Sequence, residues 1–327
     1  LYPDKKIIFL TYSYKNVQEL AEATGYFDKV ISLDTEGFHR IKALREAAGF
    51  CGDTIINANP SRSLLSDLFV LAVNVRHRIA QQSDYAELSV AKMKRSDKIY
   101  DKVVSCDPKA MELIKNAEFM RGLGLADFMA DLPVLPDIAC KMKVPEWSYA
   151  VIFPDADAPI QMWNYKNYIE IIRKLITEYG LHCLILGGNR YRDVGSVIER
   201  EVASSFCENQ MGTTSLTECI KLVRYAQIVV SNDTGGAHIA AATGTPCVVL
   251  AGGWNRGRFF PYRIEKSTQG KLMPVDVIAK LPCLGCGIEN INRYDPECGI
   301  DGVPRCVAMN TIQEVYEEIE VLLKNVL

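Results

Sequence analysis

The sequence predicts an α/β protein made of two α/β halves, and three observations carry that expectation. Strand-like and helix-like segments alternate over most of the 327 residues, a length that suits two domains with a core each. A stretch of little periodicity near 132–147, with Pro133, Pro136 and Pro145, reads as the link between them. The segment Ser231–Leu250, SNDTGGAHIAAATGTPCVVL, runs from a buried strand through an Asp-Thr-Gly-Gly turn into an Ala-rich helix and out into another strand, which is a βαβ unit.

In chain order, Ile7–Leu10, Lys29–Ser32 and Thr54–Ile56 are expected as strands, with helices near 17–23, 38–48 and 63–73 between them. A second half begins at Tyr149. Its strand 150–153 leads through a polar loop to a helix from Asn164 to Gly180, with Ile169, Ile172, Leu175 and Ile176 on one face. Strand 183–186 ends in Gly187-Gly188, and a helix follows at 216–223. In the βαβ unit, Gly244 suits the left-handed helix end, and Cys247–Leu250 is the next strand. Thr311–Leu327 is an amphipathic helix with Thr311 as its cap. The expected domains are 1–146, 147–310 and a C-terminal helix 311–327. The chain opens on Leu1-Tyr2-Pro3 rather than Met and enters a strand almost at once. That predicts a missing piece ahead of Leu1 and a first domain that lacks its first strand.

Composition narrows the partners. Lys plus Arg total 37 against 40 acidic residues, a net charge of −3, so nothing points to nucleic acid. No apolar run reaches the length of a membrane span, and no signal-like segment opens the chain. A cytoplasmic protein with at most peripheral membrane contact is expected. Of the eleven cysteines, Cys51, Cys106, Cys140, Cys183, Cys207, Cys219 and Cys247 are scattered among apolar neighbours and read as reduced core residues.

The chemistry concentrates in the βαβ turn. The N-terminus of a helix offers unpaired N–H groups and a favourable dipole to an anion, and glycine lets a ligand come close to the backbone. Asp233 is placed to accept hydrogen bonds from ligand hydroxyls, or simply to cap the helix. His238 lies one turn along, as a ligand contact or as a packed core histidine. Two α/β halves facing each other create a cleft at the carboxyl ends of their strands, where open parallel sheets bind ligands.

These residues resemble glycosyltransferase family 9, the heptosyltransferase family. Positions 233–246 fit its Asp-Thr-Gly-x-x-His-x-Ala-Ala-x-x-Gly-x-Pro pattern throughout. The loop with Trp163, Gly187-Gly188, Gly252-Gly253 and the run Gly257-Arg258-Phe259-Phe260-Pro261-Tyr262 add to the likeness. The resemblance covers most of 149–310 and is only architectural over the first 145 residues. It implies the GT-B fold of two facing Rossmann-like domains. It also implies inverting, metal-independent transfer of a heptose-like sugar from a nucleotide diphosphate sugar of the ADP-heptose type. The acceptor would be a lipopolysaccharide, polysaccharide or protein. Asp233 would hold donor hydroxyls, with Thr234 and Gly235 at the diphosphate, and Gln161, Gly187, Gly188, Gly236 and His238 would line the donor site; Trp163 would pack beside the nucleotide or in the core. The family's Lys-x-Trp-Pro becomes Gln161-Met162-Trp163-Asn164 here, so the phosphate lysine is a glutamine, and Arg258 or Arg256 in the loop after the last strand is the candidate replacement.

The resemblance places the catalytic base ahead of Leu1, so no base is named. Arg62 and Asp84, near strand ends of the first half, are candidate acceptor contacts or surface charges. A non-catalytic sugar-nucleotide-binding or assembly subunit, or a GT-B epimerase or phosphorylase, is the alternative. Homo-oligomerisation is open. Finally, Cys283, Cys286, Cys298 and Cys306 have the spacing C-x2-C-x11-C-x7-C on Gly- and Pro-rich turns. Four thiolates in that pattern suit a structural zinc or iron site in a Cys-rich finger over 283–306, with two disulfides, disfavoured in a reducing compartment, as the alternative.

Overall fold

A computed structural model describes residues 4–12, 17–84, 88–254, 256–286, 298–300 and 303–324. The chain divides into two units, Leu1–Ala130 and Asp131–Leu327. Residues 131–146, read above as the end of the first domain and a linker, therefore belong to the second unit. They are held there by backbone acceptors. Arg224 donates to the carbonyls of Leu135 and Pro136 at 2.8 and 2.7 Å, Lys221 to that of Cys140 at 3.2 Å, and the Leu135 N–H to the Ala242 carbonyl at 2.8 Å.

The first unit alternates strand and helix: β1 (Ile8–Tyr12), α1 (Val17–Thr24), β2 (Lys29–Leu33), α2 (His39–Ala48), β3 (Cys51–Asn57), α3 (Leu64–Ala72), β4 (Asn74–Gln81), α4 (Val90–Ser96), β5 (Lys102–Val104) and α5 (Glu112–Gly122). β1 and β2 pair in parallel, as do β3, β4 and β5, in two separate sheets. One cluster of Ile31, Leu33, Ala43, Ala47, Phe69 and Val73 packs β2, α2 and α3 together. A Ser63–Ser66 capping box starts α3.

The second unit contains β6 (Tyr149–Phe153), α6 (Tyr165–Tyr179), β7 (His182–Ile185), α7 (Arg192–Val202), β8 (Cys207–Asn209), α8 (Leu216–Arg224), β9 (Ile228–Asn232), α9 (Gly235–Thr243), β10 (Cys247–Leu250), β11 (Val275–Val277), β12 (Gly299–Ile300), β13 (Val303–Pro304), α10 (Arg305–Ala308) and α11 (Ile312–Lys324). Six of its strands form one parallel sheet in the order β11-β10-β9-β6-β7-β8. Counted within the unit this is 3-2-1-4-5-6, the doubly wound Rossmann order, whose topological switch point lies between β6 and β9. All five residues of each of these two strands are buried. Strands buried on both faces, apolar but for Ser231 and Asn232 at the end of β9, are what a sheet covered on both sides requires. β12 and β13 make a small antiparallel ladder beside the cysteine segment.

Local chemistry sets the ends of the helices as the sequence suggested. Asn164 caps α6 through its side chain, and Gly180 closes it at φ 64°. Thr311 and Glu314 form a reciprocal cap ahead of α11, and Gly244 ends α9 at φ 74°. Of the cysteines expected in the core, Cys106, Cys183, Cys207 and Cys247 are buried, Cys140 and Cys219 partly so, and Cys51 is exposed. Cys51 opens β3, whose first three residues all face solvent.

The two glycines that open α9 do different work. A Cβ at Gly236 would stand 2.4 Å from Cδ2 of Phe153 at the end of β6, whereas one at Gly235 would meet nothing within 4 Å. Gly236 is a packing requirement. We predict that Gly236→Ala costs about 1–3 kcal/mol by overpacking, read as a lower midpoint in urea unfolding; an unchanged midpoint would refute the close approach of α9 to β6.

Candidate functional site

The switch point places the loop after β6 beside the turn after β9, and one side chain ties them. Asn232, fully buried at the end of β9, donates from Nδ2 to the carbonyls of Pro154 at 2.8 Å and Asp155 at 3.3 Å. Its Oδ1 accepts the Trp163 N–H at 3.0 Å and the Tyr168 hydroxyl at 2.8 Å. The amide thus joins β9, the β6 loop and the start of α6. Asp155 extends the connection to the third strand end: its Oδ2 accepts the Gly188 N–H at 2.8 Å. A Cβ at Gly187, which sits at φ 154°, would run into that carboxylate at 2.6 Å.

Above this floor stands the N-terminus of α9. Thr234 is its N-cap residue, in extended conformation, and makes no side-chain cap bond. Asp233 is buried and Gly235 is exposed. The first-turn amides of a helix have no partners within the helix, so this end presents N–H groups and the positive end of a dipole next to a carboxylate. That combination suits a ligand carrying both phosphate and hydroxyl groups.

His238 faces a stack of aromatic rings. Its Nδ1 is 2.6 Å from the Tyr262 hydroxyl, and its ring lies parallel to Phe260 with centroids 5.0 Å apart. Burial pulls its pKa down to about 4, so it is neutral at physiological pH. Burial pushes the Tyr262 phenol above its usual range, with the nearby Cys247 and Asp233 adding to the shift; the protonated hydroxyl and the neutral imidazole share one hydrogen bond at Nδ1. His238 thereby anchors the loop after β10 to α9. The same loop is fixed by the Gly257 N–H to the Phe260 carbonyl at 2.7 Å and by the Arg256–Asp276 ion pair at 2.9 Å. It carries Arg258, whose guanidinium lies over Phe259, 5.1 Å from the ring centre. His238 meets the edge of that same ring.

The structure therefore gathers Asp233, Thr234, Gly235, Gly236, His238 and Arg258 around α9, and joins Gly187 and Gly188 to them through Asp155 and Asn232. Gln161 closes a 3-10 turn two residues ahead of Trp163. Of the two places open to Trp163, beside a nucleotide or in the core, it takes the core. It is 2% exposed, packs edge-on against Tyr168 and donates its indole N–H to the Asn310 carbonyl at 3.0 Å, so no ring face is open to a ligand. Asn232 and Asp155 were not assigned to the site from the sequence, and Tyr262 was noted only within the run 257–262. The local signals were an Asn ending an apolar strand and an Asp just after β6.

In the first unit Arg62 is likewise not a surface or acceptor contact. It is fully buried, reaches Ser96 Oγ at 3.2 Å and Met93 Sδ at 3.1 Å, pairs with Asp97, and stacks on Tyr100. A buried guanidinium with these partners is a structural element of the core. Asp84 accepts a hydrogen bond from the Ser61 hydroxyl at 2.7 Å.

In the cysteine segment, Cys306 is buried on α10 and its Sγ accepts the Gly253 N–H at 3.0 Å. The Gly285 N–H donates to the Gly253 carbonyl at 2.8 Å. Burial raises the Cys306 thiol pKa; the Gly253 N–H opposes this, and the proximity of Cys298, Cys286 and Cys283 adds to the rise. Among the described residues no group of three or more His, Cys, Asp or Glu side chains stands at metal-ligand spacing. The chain between Cys286 and Cys298 lies outside the described residues.

Comparison with known proteins agrees with this architecture. The family model described as glycosyltransferase family 9 (heptosyltransferase) matches residues 52–271, about two thirds of the chain. Lipooligosaccharide heptosyltransferase 2 of Haemophilus influenzae is 31% identical over 123 residues, 37% of this chain and 35% of that protein. Lipopolysaccharide heptosyltransferase 2 of Escherichia coli is 26% identical over 168 residues, 50% of this chain and 43% of that protein. The chain thus spans less than half the length of these relatives. Among solved structures, the E. coli ADP-heptose lipopolysaccharide heptosyltransferase II has a TM-score of 0.70 at 19% identity, covering 99% of this chain and 91% of that one. A family 9 glycosyltransferase of Veillonella parvula has a TM-score of 0.74 at 15% identity, covering 98% and 89%. These likenesses are of fold, the α/β GT-B architecture. With the family model spanning both units, the chain belongs to glycosyltransferase family 9, the heptosyltransferases.

Proposed function

We propose that this protein is an inverting glycosyltransferase that moves a heptose-like sugar from a nucleotide diphosphate sugar, of the ADP-heptose type, to a lipopolysaccharide, polysaccharide or protein acceptor. The observation that carries the proposal is the N-terminus of α9 at the switch point, without a side-chain cap, beside the buried Asp233 and opening on a glycine that packing does not require. In this reading the N–H groups of Gly235 and Gly236 hold the diphosphate, Asp233 accepts from donor hydroxyls, and His238 fixes the loop that brings Arg258 to the leaving group. A helix N-terminus and a cation aimed at developing negative charge lower the barrier for diphosphate departure. The acceptor oxygen attacks the anomeric carbon as the bond to the diphosphate breaks, and its proton passes to a base that these residues do not identify.

Gln161, in place of the family's lysine, favours a second reading as a sugar-nucleotide-binding subunit without transfer activity. Mass spectrometry of acceptor incubated with donor and protein separates the two readings. Among the described residues no helix is long and apolar enough to cross a membrane; a peripheral position at the inner face of a membrane is part of the proposal, because the acceptors named include lipid-linked glycans.

We further infer a structural zinc or iron held, when bound, by Cys283, Cys286, Cys298 and Cys306. The support is chemical: the four thiols are the soft sulfur donors such a metal takes, and one of them accepts a backbone N–H. The metal would cross-link the segment and take no part in transfer.

Calorimetry with ADP-heptose tests the site. Binding is expected for the parent protein, with a loss of at least about tenfold in Asp233→Ala. Gly235→Ala should weaken binding with no change in unfolding midpoint, since its Cβ enters open space. Binding unaffected by both changes would reject the site. Elemental analysis of purified protein should give close to one zinc or iron per chain, falling in a Cys283→Ser/Cys286→Ser variant; protein that folds without either metal would end the metal proposal.

A further inference from the structure

The loop that carries Arg258 begins at a peptide held from two sides. Gly253, buried just after β10, donates its N–H to Cys306 Sγ at 3.0 Å, and its carbonyl accepts the Gly285 N–H at 2.8 Å. A buried peptide must find partners for both groups, and here the cysteine segment supplies them. Gly285 stands between Cys283 and Cys286, while Cys306 lies in α10. The approach is close: a Cβ at Gly253 would stand 2.9 Å from Cδ2 of Leu284 and 3.4 Å from Cys306 Sγ, and one at Gly252 would stand 3.1 Å from Cγ2 of Val307. Neither glycine has a positive φ, so both serve contact rather than backbone conformation.

From this clamp the order runs into the donor site. The Arg256 N–H returns to the Gly253 carbonyl at 3.3 Å, Arg256 bridges to Phe260, and Phe260 and Tyr262 pack on His238 of α9. Arg258 sits inside that bridged turn. We propose that Cys306 and Gly285 are positioning residues for the donor loop, and that joining Cys306 to Cys283 and Cys286 through the zinc or iron proposed for them tightens donor binding by locking the two sides of the clamp together. Amide-to-sulfur bonds outside a coordination sphere orient the ligands of a metal; here the amide belongs to the donor loop. Metal and donor are then coupled ligands, each raising the affinity of the other by one common factor. The inference rests on the proposed donor site and, for its metal dependence, on the proposed four-cysteine site.

Calorimetry with ADP-heptose on the full chain, kept reduced and either loaded with zinc or stripped with a chelator, tests it. Stripping should weaken binding about fivefold or more. ADP-heptose should raise the zinc affinity, measured against a chromophoric chelator, by the same factor. In Arg258→Ala, stripping should leave the residual donor affinity unchanged, because the loop no longer delivers a cation; a loss from general loosening of the fold would persist there. In stripped protein, Cys306→Ser keeps an acceptor for the Gly253 N–H and should bind donor more tightly than Cys306→Ala, with the same circular dichroism. Equal donor affinity in loaded and stripped parent, a loss that persists in Arg258→Ala, or equal binding by the two Cys306 variants would each overturn the proposal. A chain that takes up no zinc yet separates the two Cys306 variants would end the metal reading and its coupling, and leave the positioning role standing. A parent that binds no ADP-heptose in either state would remove the transferase reading and the coupling with it.

Discussion

The second unit depends on one amide. Asn232 ends a fully buried strand and satisfies all its hydrogen-bonding capacity across three segments: two carbonyls after β6, the N–H of Trp163 and the hydroxyl of Tyr168. In a doubly wound sheet the strands on either side of the switch point receive their connections from opposite directions, which opens a crevice between them. A crevice floored by unsatisfied backbone groups would be costly. The Asn232 side chain removes that cost at the place where the β6 loop and the β9 turn diverge, and so lets α9 start directly above it.

Everything assigned to the ligand follows from that start. Gly236 lets α9 rest on Phe153, which sets the height of its first turn. Asp155, whose carbonyl Asn232 holds, turns its carboxylate to the Gly187-Gly188 loop and so fixes the end of β7. His238, one turn along α9, is kept neutral by burial and bonds Tyr262, which carries the order of the helix into the loop that bears Arg258. The polar groups are held by neighbours that touch no ligand, and preorganisation of that kind makes an electrostatic site effective.

Much of this was legible in the sequence, for physical reasons. Apolar runs such as 228–230 and 247–250 can only be covered strands, and glycine at 180 and 244 marks left-handed helix ends that L residues avoid. β4 escaped notice because its sequence, NVRHRIAQ, keeps much of its first half at the surface and so looks polar. The buried places of Arg62 and Trp163 were hard to read for a shared reason. Arginine is seldom fully buried, and the partners that bury it, Ser96, Asp97 and Tyr100, lie more than thirty residues downstream. The indole's acceptor, Asn310, is 147 positions away. Local pattern carries no information about such contacts.

The most direct test of the account is a crystal structure of the protein with ADP. The account predicts the diphosphate above the first turn of α9, its oxygens accepting from the Gly235 and Gly236 N–H groups, with the four hydrogen bonds of Asn232 intact below. ADP bound away from the β6–β9 switch point, or bound there only after Asn232 has released its partners, would contradict it.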